Sequence, residues 1–143
     1  METNFKGLNL SSRFEGEKRA IFDDGKHYPP SEDRHHVITV EYNGNEAEFD
    51  YYPSIAHPSI DTEKELLEAF RCFLSDAECG SMSLDDFANE LYGGEGKISQ
   101  IIKTHEACQK SYYDFLELMC IGDSDFYDKY SELMEALEEE GVA

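Results

Sequence analysis

The dipeptide Asn43-Gly44 lies between two runs of alternating apolar residues, in the stretch HHVITVEYNGNEAEFDYY at residues 35–52. Both central residues of a two-residue type I′ turn have positive φ, and Asn-Gly is a pair that favours this conformation strongly. The pattern therefore predicts a β-hairpin in which Tyr42 faces Asn45. With this register, the residues on the core face form three facing pairs: Val40 with Ala47, Ile38 with Phe49, and His36 with Tyr51.

The same register places a row of carboxylates on the opposite face of the hairpin. We call this row the sheet ladder, and it consists of Glu41, Glu46, Glu48 and Asp50. Glu41 would directly face Glu46, although like charges that face each other across two strands destabilise a sheet. The repulsion would be relieved if a partner rich in arginine or lysine docked on this face.

A second hairpin is predicted upstream of the first. The segment RAIFDDGKHY at residues 19–28 has Asp24-Gly25 between short apolar runs, and Pro29-Pro30 would end the pairing. Residues 1–18 carry little pattern, and we expect them to form a partly ordered lead-in. The two hairpins would make a small antiparallel sheet whose apolar face needs cover.

Helices are predicted from about residue 61 onward, because apolar residues recur there at spacings of three and four. The first helix would begin at a capping box, Thr62 to Glu65, and end at Gly80. Ser83 would cap the second, which Gly93-Gly94 would end. The predicted buried stripes of these two helices are Leu66, Phe70, Phe73, Leu74 and Ala77, followed by Leu84, Phe87, Ala88 and Leu91.

The third helix is predicted at about residues 97–120 and would be broken by Gly122. Asp123 or Ser124 would cap the fourth. The predicted buried residues of the third helix are Ile98, Ile101, His105, Cys108, Tyr112, Phe115 and Met119, and those of the fourth are Phe126, Tyr130, Leu133 and Leu137. The resulting prediction is an α+β protein: one domain over residues 1–143, with hairpins at residues 19–52 packed against a bundle of about four helices at residues 61–140.

The net charge of the chain is −20, from 32 acidic and 12 basic residues. The charge is uneven, since residues 61–143 contain 21 acids and six bases. Such a field repels nucleic acid and anionic lipid, and it attracts basic surfaces. We therefore expect a cationic partner, and we expect that the chain itself does not bind nucleic acid. No apolar run could span a bilayer and no signal sequence is evident, which predicts a cytoplasmic protein.

Catalytic and metal sites are not indicated by the sequence. His35 and His36 are adjacent on a strand and would point to opposite faces, so they would not share a metal. Residues 123–134 begin like a calcium loop but lack its glycine and its final glutamate. The four cysteines have no CxxC pairing and are predicted to be buried thiols: Cys72, Cys79, Cys108 and Cys120. We expect no enzymatic activity, no metal and no cofactor.

A second row of carboxylates follows the last predicted helix, and we call it the helix ladder. Its residues are three and four apart, on one exposed face: Asp125, Asp128, Glu132, Glu135 and Glu139. Like charges at this spacing destabilise a helix slightly, and acids near its C-terminus oppose its dipole. Local stability does not explain the pattern. The alternatives are a solvated face that maintains solubility and a surface that binds a cationic partner.

The spacing of the two ladders suggests mimicry of DNA. Duplex DNA carries one negative charge per about 1.7 Å of its axis. The acids of a helix stripe recur about every 5 Å, and an adjacent sheet ladder would add a second row. Such an array could compete with DNA for a basic groove.

The chain resembles a group of small acidic proteins encoded by bacteriophages and conjugative elements. The segments that carry the resemblance are FDYYPSIAHPS, ELLEAFRCFLSDAECGSMSLDDFANELY and KTHEACQKSYYDFLELM. Proteins of this group typically have a strand ending in a tyrosine-and-serine turn, a VLxCL helix, an acidic FxxF helix and a YxAC helix. The matching positions here are residues 49–54, 67–74, 84–87 and 105–108.

The resemblance covers about residues 37–120 and concerns core and turn positions. The chain departs from the group at Tyr92-Gly93-Gly94-Glu95, where relatives often have a Gly-Tyr-Asp turn, and the helix ladder lies outside the similar region. Genes of this kind lie near those of anti-CRISPR and antirestriction proteins, several of which are acidic DNA mimics. The resemblance thus implies an anti-defence role.

Charge and resemblance together predict a non-enzymatic inhibitor from a phage or mobile element. It would occupy the basic DNA-binding surface of a defence protein such as a CRISPR–Cas nuclease, with both ladders as the binding residues. The alternative is an interaction module that regulates a phage or host protein through an apolar helix face, with acidity that serves only solubility. High salt would weaken the first kind of binding and leave the second.

Overall fold

The computed structural model describes residues 1–15, 35–52, 59–93 and 95–142 of the chain. These residues form a four-stranded antiparallel sheet and four α-helices, which confirms the predicted α+β class. The chain divides into two compact units at residues 1–69 and 70–143. The division falls within the first helix, and the assignment to a single domain stays a prediction.

The sheet has the strand order β1 (Glu2–Phe5), β2 (Leu8–Glu15), β3 (His35–Tyr42) and β4 (Asn45–Tyr51). Asn43 and Gly44 join β3 to β4 with φ values of 49° and 85°, as a type I′ turn requires. Tyr42 faces Asn45 and every predicted pair of the hairpin is present. The register that the sequence predicted is confirmed.

The prediction for the N-terminal segment was wrong. Residues 1–18 were expected to be a partly ordered lead-in, whereas β1 and β2 form an antiparallel hairpin and β2 pairs with β3. Lys6 and Gly7 make the turn with φ values of 52° and 81°, the same left-handed pair that Asn43-Gly44 adopts. The predicted hairpin at residues 19–28 and its end at Pro29-Pro30 lie outside the described residues.

The two faces of the sheet differ in chemistry because side chains alternate along each strand. One face is apolar, and its buried members are Phe5, Leu8, Leu10, His36, Ile38 and Val40. The other face carries most of the charged side chains of the four strands. The acidic row therefore lies on the polar face of the sheet, and the opposite face contributes the buried residues.

The first helix, α1 (Glu63–Ser81), begins as predicted. The backbone N–H of Glu65 donates to Thr62 Oγ1 at 3.2 Å, and Glu65 reaches back to the N–H of Asp61 at 3.4 Å. The expected end at Gly80 is wrong, because the helix continues through Gly80 to Ser81. A Cβ at Gly80 would overlap the carbonyl oxygen of Cys108, so the glycine permits close backbone packing.

The next two helices are α2 (Leu84–Tyr92) and α3 (Ile98–Met119). Ser83 caps α2 by accepting from the N–H of Asp86 at 3.2 Å, and Gly93 ends it in the left-handed conformation. Both ends agree with the sequence prediction. His105 of α3 is buried and its Nε2 lies 2.9 Å from the carbonyl oxygen of Met82, as expected for a packed histidine.

Burial along α2 and the start of α3 differs from the prediction. Phe87 is buried, but Leu84 and Leu91 of the same predicted stripe are exposed, and so is Ile98 at the first position of α3. Phe87 packs with Ile101 and Cys108 in one cluster. Ala88 of the predicted stripe also packs against this cluster, so Leu84 and Leu91 are the members of the stripe that remain in solvent.

The last helix, α4 (Phe126–Glu139), follows a short 3₁₀ turn at Asp123–Asp125. The expected cap by Asp123 or Ser124 is wrong, since Asp125 occupies the N-cap position and makes no side-chain cap bond. Asp123 instead accepts a hydrogen bond from the hydroxyl of Tyr112 at 2.6 Å. The Phe126 ring is buried in edge contacts with Tyr112 and Phe115, at centroid distances of 4.8 and 5.4 Å.

The Tyr112–Asp123 hydrogen bond predicts a loss of stability at alkaline pH. Burial, followed by the bond to Asp123, raises the pKa of Tyr112 to about 12. The folded state therefore favours the neutral phenol, and this contribution is complete below about pH 10 and lost as the pH rises to about 12. We expect Tyr112→Phe to unfold with a weaker dependence on pH in this window, measured by urea denaturation. An unchanged dependence would contradict the assignment.

The four cysteines differ in their burial. Cys108 is buried and Cys79 is half-buried, but Cys72 and Cys120 are exposed, so the prediction of buried thiols was wrong for those two. Cys72 lies off the buried stripe of α1, and Cys120 caps the C-terminus of α3 with φ of 57°.

None of the described helices is long and apolar enough to cross a membrane.

Candidate protein-interaction surface

The sheet ladder lies on the polar face of β3 and β4, as predicted. Glu41 and Glu46 are paired across the two strands, and Glu48 and Asp50 follow on β4. All four side chains belong to exposed residues. Among the described residues, no ion pair involves Glu41 or Glu46, so their mutual repulsion is uncompensated near the turn.

The other end of the sheet ladder is partly neutralised. Arg13 on β2 contacts Glu48 at 3.5 Å and Glu15 at 3.2 Å, and these bonds raise the pKa of its guanidinium. His35 lies 3.5 Å from Asp50 and 3.7 Å from Glu15, which makes two ion pairs when the imidazole is protonated. The sheet itself thus provides a permanent cation, Arg13, for Glu48, and Asp50 gains one from His35 only when that imidazole is protonated. Among the described residues, Glu41 and Glu46 have no cation beside them.

The double change Glu41→Gln and Glu46→Gln is expected to raise the free energy of unfolding by about 0.2–1 kcal/mol, because it removes a repulsion between directly facing charges. The measurement is urea denaturation at low salt. The matched control is Glu48→Gln, which removes a carboxylate paired with Arg13. A control variant that gains as much stability as the double variant would contradict the proposed origin of the repulsion.

The helix ladder lies along α4 and the 3₁₀ turn before it. All five of its residues are exposed, from Asp125 to Glu139. Lys129 pairs with Glu132 at 3.3 Å. Within the part of the chain that the structure describes, Asp128, Glu135 and Glu139 take part in no ion pair. The last turn of α4 has no basic residue, so nothing there offsets the unfavourable interaction of Glu139 with the helix dipole.

Metal binding receives no geometric support in the described ranges. His35 and His36 diverge as predicted: His36 packs edge-on against Phe14 at 5.3 Å on the apolar face, and His35 lies on the polar face. Over residues 1–15, 35–52, 59–93 and 95–142, no group of three or more histidine, cysteine, aspartate or glutamate side chains is arranged to hold a metal ion.

Arg13 is the residue of this surface that the sequence analysis missed. Its role depends on β2, and β2 was not predicted. The available signal was the alternation of Leu8 and Leu10 directly after Lys6-Gly7, a pair that can form the same kind of turn as Asn43-Gly44.

The two ladders lie in different compact units, the sheet ladder in residues 1–69 and the helix ladder in residues 70–143.

Comparison of this chain with protein-family models, with curated proteins and with solved structures finds no match. The resemblance to small acidic phage proteins therefore rests on the sequence segments that carry it. The candidate sites are defined by their own geometry, and each is a regular row of exposed carboxylates, one on the sheet of the first unit and one on a helix of the second.

Proposed function

We propose that the chain is a non-enzymatic anti-defence protein of a phage or mobile element, which acts in the bacterial cytoplasm. It inhibits a nucleic-acid-binding defence effector, such as a CRISPR–Cas nuclease, by occupying the basic surface that binds DNA. The observation that carries this proposal is the helix ladder. Five exposed acids follow one side of α4 and the turn before it. The helix dipole favours Asp125 and Asp128 at the N-terminus and Lys129 pairs with Glu132, but local stability does not account for Glu135 and Glu139.

The electrostatics of the ladders support a cationic protein as the partner. Net charge of −20 repels DNA and anionic lipid, and it increases the rate of encounter with basic surfaces. A guide-loaded nuclease presents a positively charged channel before its target arrives. Rows of carboxylates that fit such a channel would exclude the phosphates of the target strand.

The sheet ladder has a smaller part in this proposal than its sequence suggested. Arg13 and His35 already lie beside Glu48 and Asp50, so these two acids gain less from an external cation than Glu41 and Glu46 do. Helix-ladder residues other than Glu132 have no such neutralising contact among the described residues. The main contribution to binding is therefore assigned to α4.

The experiment that tests the proposed function is affinity capture from lysates of bacteria that carry defence systems. The wild-type chain and a variant with a neutralised helix ladder serve as parallel baits, and bound proteins are eluted with a salt gradient. We expect a nucleic-acid-binding effector that elutes at moderate salt and is depleted on the variant bait. Equal capture by both baits, or retention that salt does not weaken, would contradict DNA mimicry.

A further inference from the structure

Four large aliphatic side chains are exposed on the hairpin of α2 and α3, and we call them the apolar hairpin face: Leu84, Leu91, Ile98 and Ile102. Their exposed fractions are 39%, 52%, 73% and 37%. Single exposed aliphatic residues are ordinary on protein surfaces, but a group on one supersecondary unit is typical of an interaction site. The sequence pattern assigned Leu84, Leu91 and Ile98 to the core, whereas all three are exposed and no described residue covers them.

The positions of these residues place them beside one buried cluster. Leu84 and Leu91 flank Phe87 on α2 at spacings of three and four. On α3, Ile98 precedes Ile101 by three residues, and Ile98 and Ile102 are four residues apart and so share a face. Phe87 and Ile101 are buried together in one cluster. Each helix therefore carries its exposed aliphatic residues next to the buried residue through which it joins this cluster.

The hairpin is anchored well enough to present this face as a defined surface. Phe87 packs against the ring of His105 at a centroid distance of 4.9 Å and against Tyr92 at 6.0 Å. The side-chain cap from Ser83 and the left-handed Gly93 fix both ends of α2. Exposure of the aliphatic residues is thus a property of an ordered helix pair.

The charges that border the face indicate the chemistry of its partner. Four acids and no base lie between residues 84 and 96, and they are Asp85, Asp86, Glu90 and Glu95. None of them belongs to an ion pair within the described chain. Asp85 and Asp86 suit the N-terminus of α2, whereas Glu90 lies in its last turn, where the helix dipole disfavours an anion. The bases Lys97 and Lys103 lie only on the α3 side.

We propose that the apolar hairpin face is a docking surface for an amphipathic helix of a partner protein, with lysine or arginine beside its apolar stripe. The aliphatic side chains would contact the stripe and the acids of α2 would pair with the basic flank, which is a common mode of helix recognition. A second copy of this chain is disfavoured by its net charge of −20, and anionic lipid is repelled by the same acidic border. This site is separate from both ladders, and the inference does not depend on the proposed function.

The test uses two fluorescent synthetic peptides and the full chain, with anisotropy measured at about 0.15 M salt. One peptide is an amphipathic helix of leucine and lysine with leucines three and four apart, and the other has the same composition in scrambled order. Charge attraction alone would give equal affinities. We expect the amphipathic peptide to bind at least about tenfold more tightly, a difference of about 1.4 kcal/mol.

The double variant Leu91→Ser with Ile98→Ser is expected to reduce or abolish the preference without changing thermal melting, since both residues are more than half exposed. Tyr113→Ser removes an equally exposed side chain elsewhere on α3 and should keep the preference. Neutralising the helix ladder should weaken both peptides alike, which separates this site from the proposed function. Equal affinities in the wild type, self-association that Ile98→Ser abolishes, or binding to zwitterionic vesicles through this face would overturn the inference.

Discussion

Replacing Gly80 with alanine is expected to lower the free energy of unfolding by about 2 kcal/mol, which is the top of the range for overpacking reduced by the helix preference of alanine. A Cβ built at this position overlaps the carbonyl oxygen of Cys108 and lies 2.7 Å from the backbone nitrogen of Gln109. The obstacle is backbone on a neighbouring helix, so no side-chain rotation can relieve it, and overpacking of this kind typically costs about 1–3 kcal/mol or more. Helices intrinsically prefer alanine to glycine by about 1 kcal/mol, which acts in the opposite direction and is smaller than the free-energy cost of the overlap.

The measurement is urea or thermal denaturation of Gly80→Ala beside Gly122→Ala. Gly122 has φ of −93°, which any residue can adopt, and no atom lies within 4 Å of a Cβ built there. We expect the control to remain within about 0.5 kcal/mol of the wild type. A Gly80→Ala protein as stable as the control would show that α1 and α3 are not packed as closely as described.

Neutralising the helix ladder is expected to lower affinity for the captured effector by at least about 100-fold, or about 2.7 kcal/mol. The variant carries Asp125→Asn, Asp128→Asn, Glu132→Gln, Glu135→Gln and Glu139→Gln. The fold should be preserved because all five residues are exposed. The substitutions also remove repulsion between like charges three and four residues apart along α4. Binding would be measured by titration at several salt concentrations, and the wild type should lose affinity with salt more steeply than the variant.

A control variant with the same change in net charge distinguishes recognition of the helix-ladder positions from attraction to the total negative charge. Five exposed acids off the ladders provide it, as Asp61→Asn, Glu63→Gln, Glu68→Gln, Glu106→Gln and Glu117→Gln. If position matters, this variant keeps most of the affinity. An equal loss in both variants would mean that only total charge is recognised, and the regular spacing of the helix ladder would then have no role.

Local turn chemistry explains which parts of the fold could be predicted from the sequence. Asn43-Gly44 determined a register that the structure reproduces, and Ser83 and Gly93 marked the true ends of α2. These features depend on residues adjacent in the chain. The hairpin at Lys6-Gly7 obeys the same rule, but Lys-Gly is a weaker turn signal than Asn-Gly, and its strands were missed.

Features that depend on tertiary packing could not be predicted. Gly80 has the sequence context of a helix end, and only the approach of Cys108 from α3 shows why a glycine is needed inside the helix. Arg13 is 35 residues from Glu48 in sequence and meets it only because β2 pairs with β3. Leu91 and Ile98 have core periodicity, yet their exposure depends on what packs beside α2.

The candidate site was predicted in part for the same reason. Exposure of the sheet ladder and the helix ladder follows from strand alternation and helical periodicity, and both were correctly assigned to solvent. The neutralising contacts at the sheet ladder were not predicted: Arg13 comes from β2, which was missed, and His35 reaches Asp50 from within the predicted hairpin. Residue periodicity alone therefore predicted the surface of α4 better than it predicted the surface of the sheet.

DNA mimicry requires that this chain and DNA occupy the same surface of the partner. The most direct test titrates the chain into the captured effector, first without DNA and then with the effector saturated by its target duplex. For an RNA-guided nuclease, the guide-loaded form presents the channel before target capture, so this form should bind the chain. If the chain and DNA share one surface, pre-bound duplex abolishes binding of the chain. A stable complex that contains effector, duplex and chain together would rule out DNA mimicry.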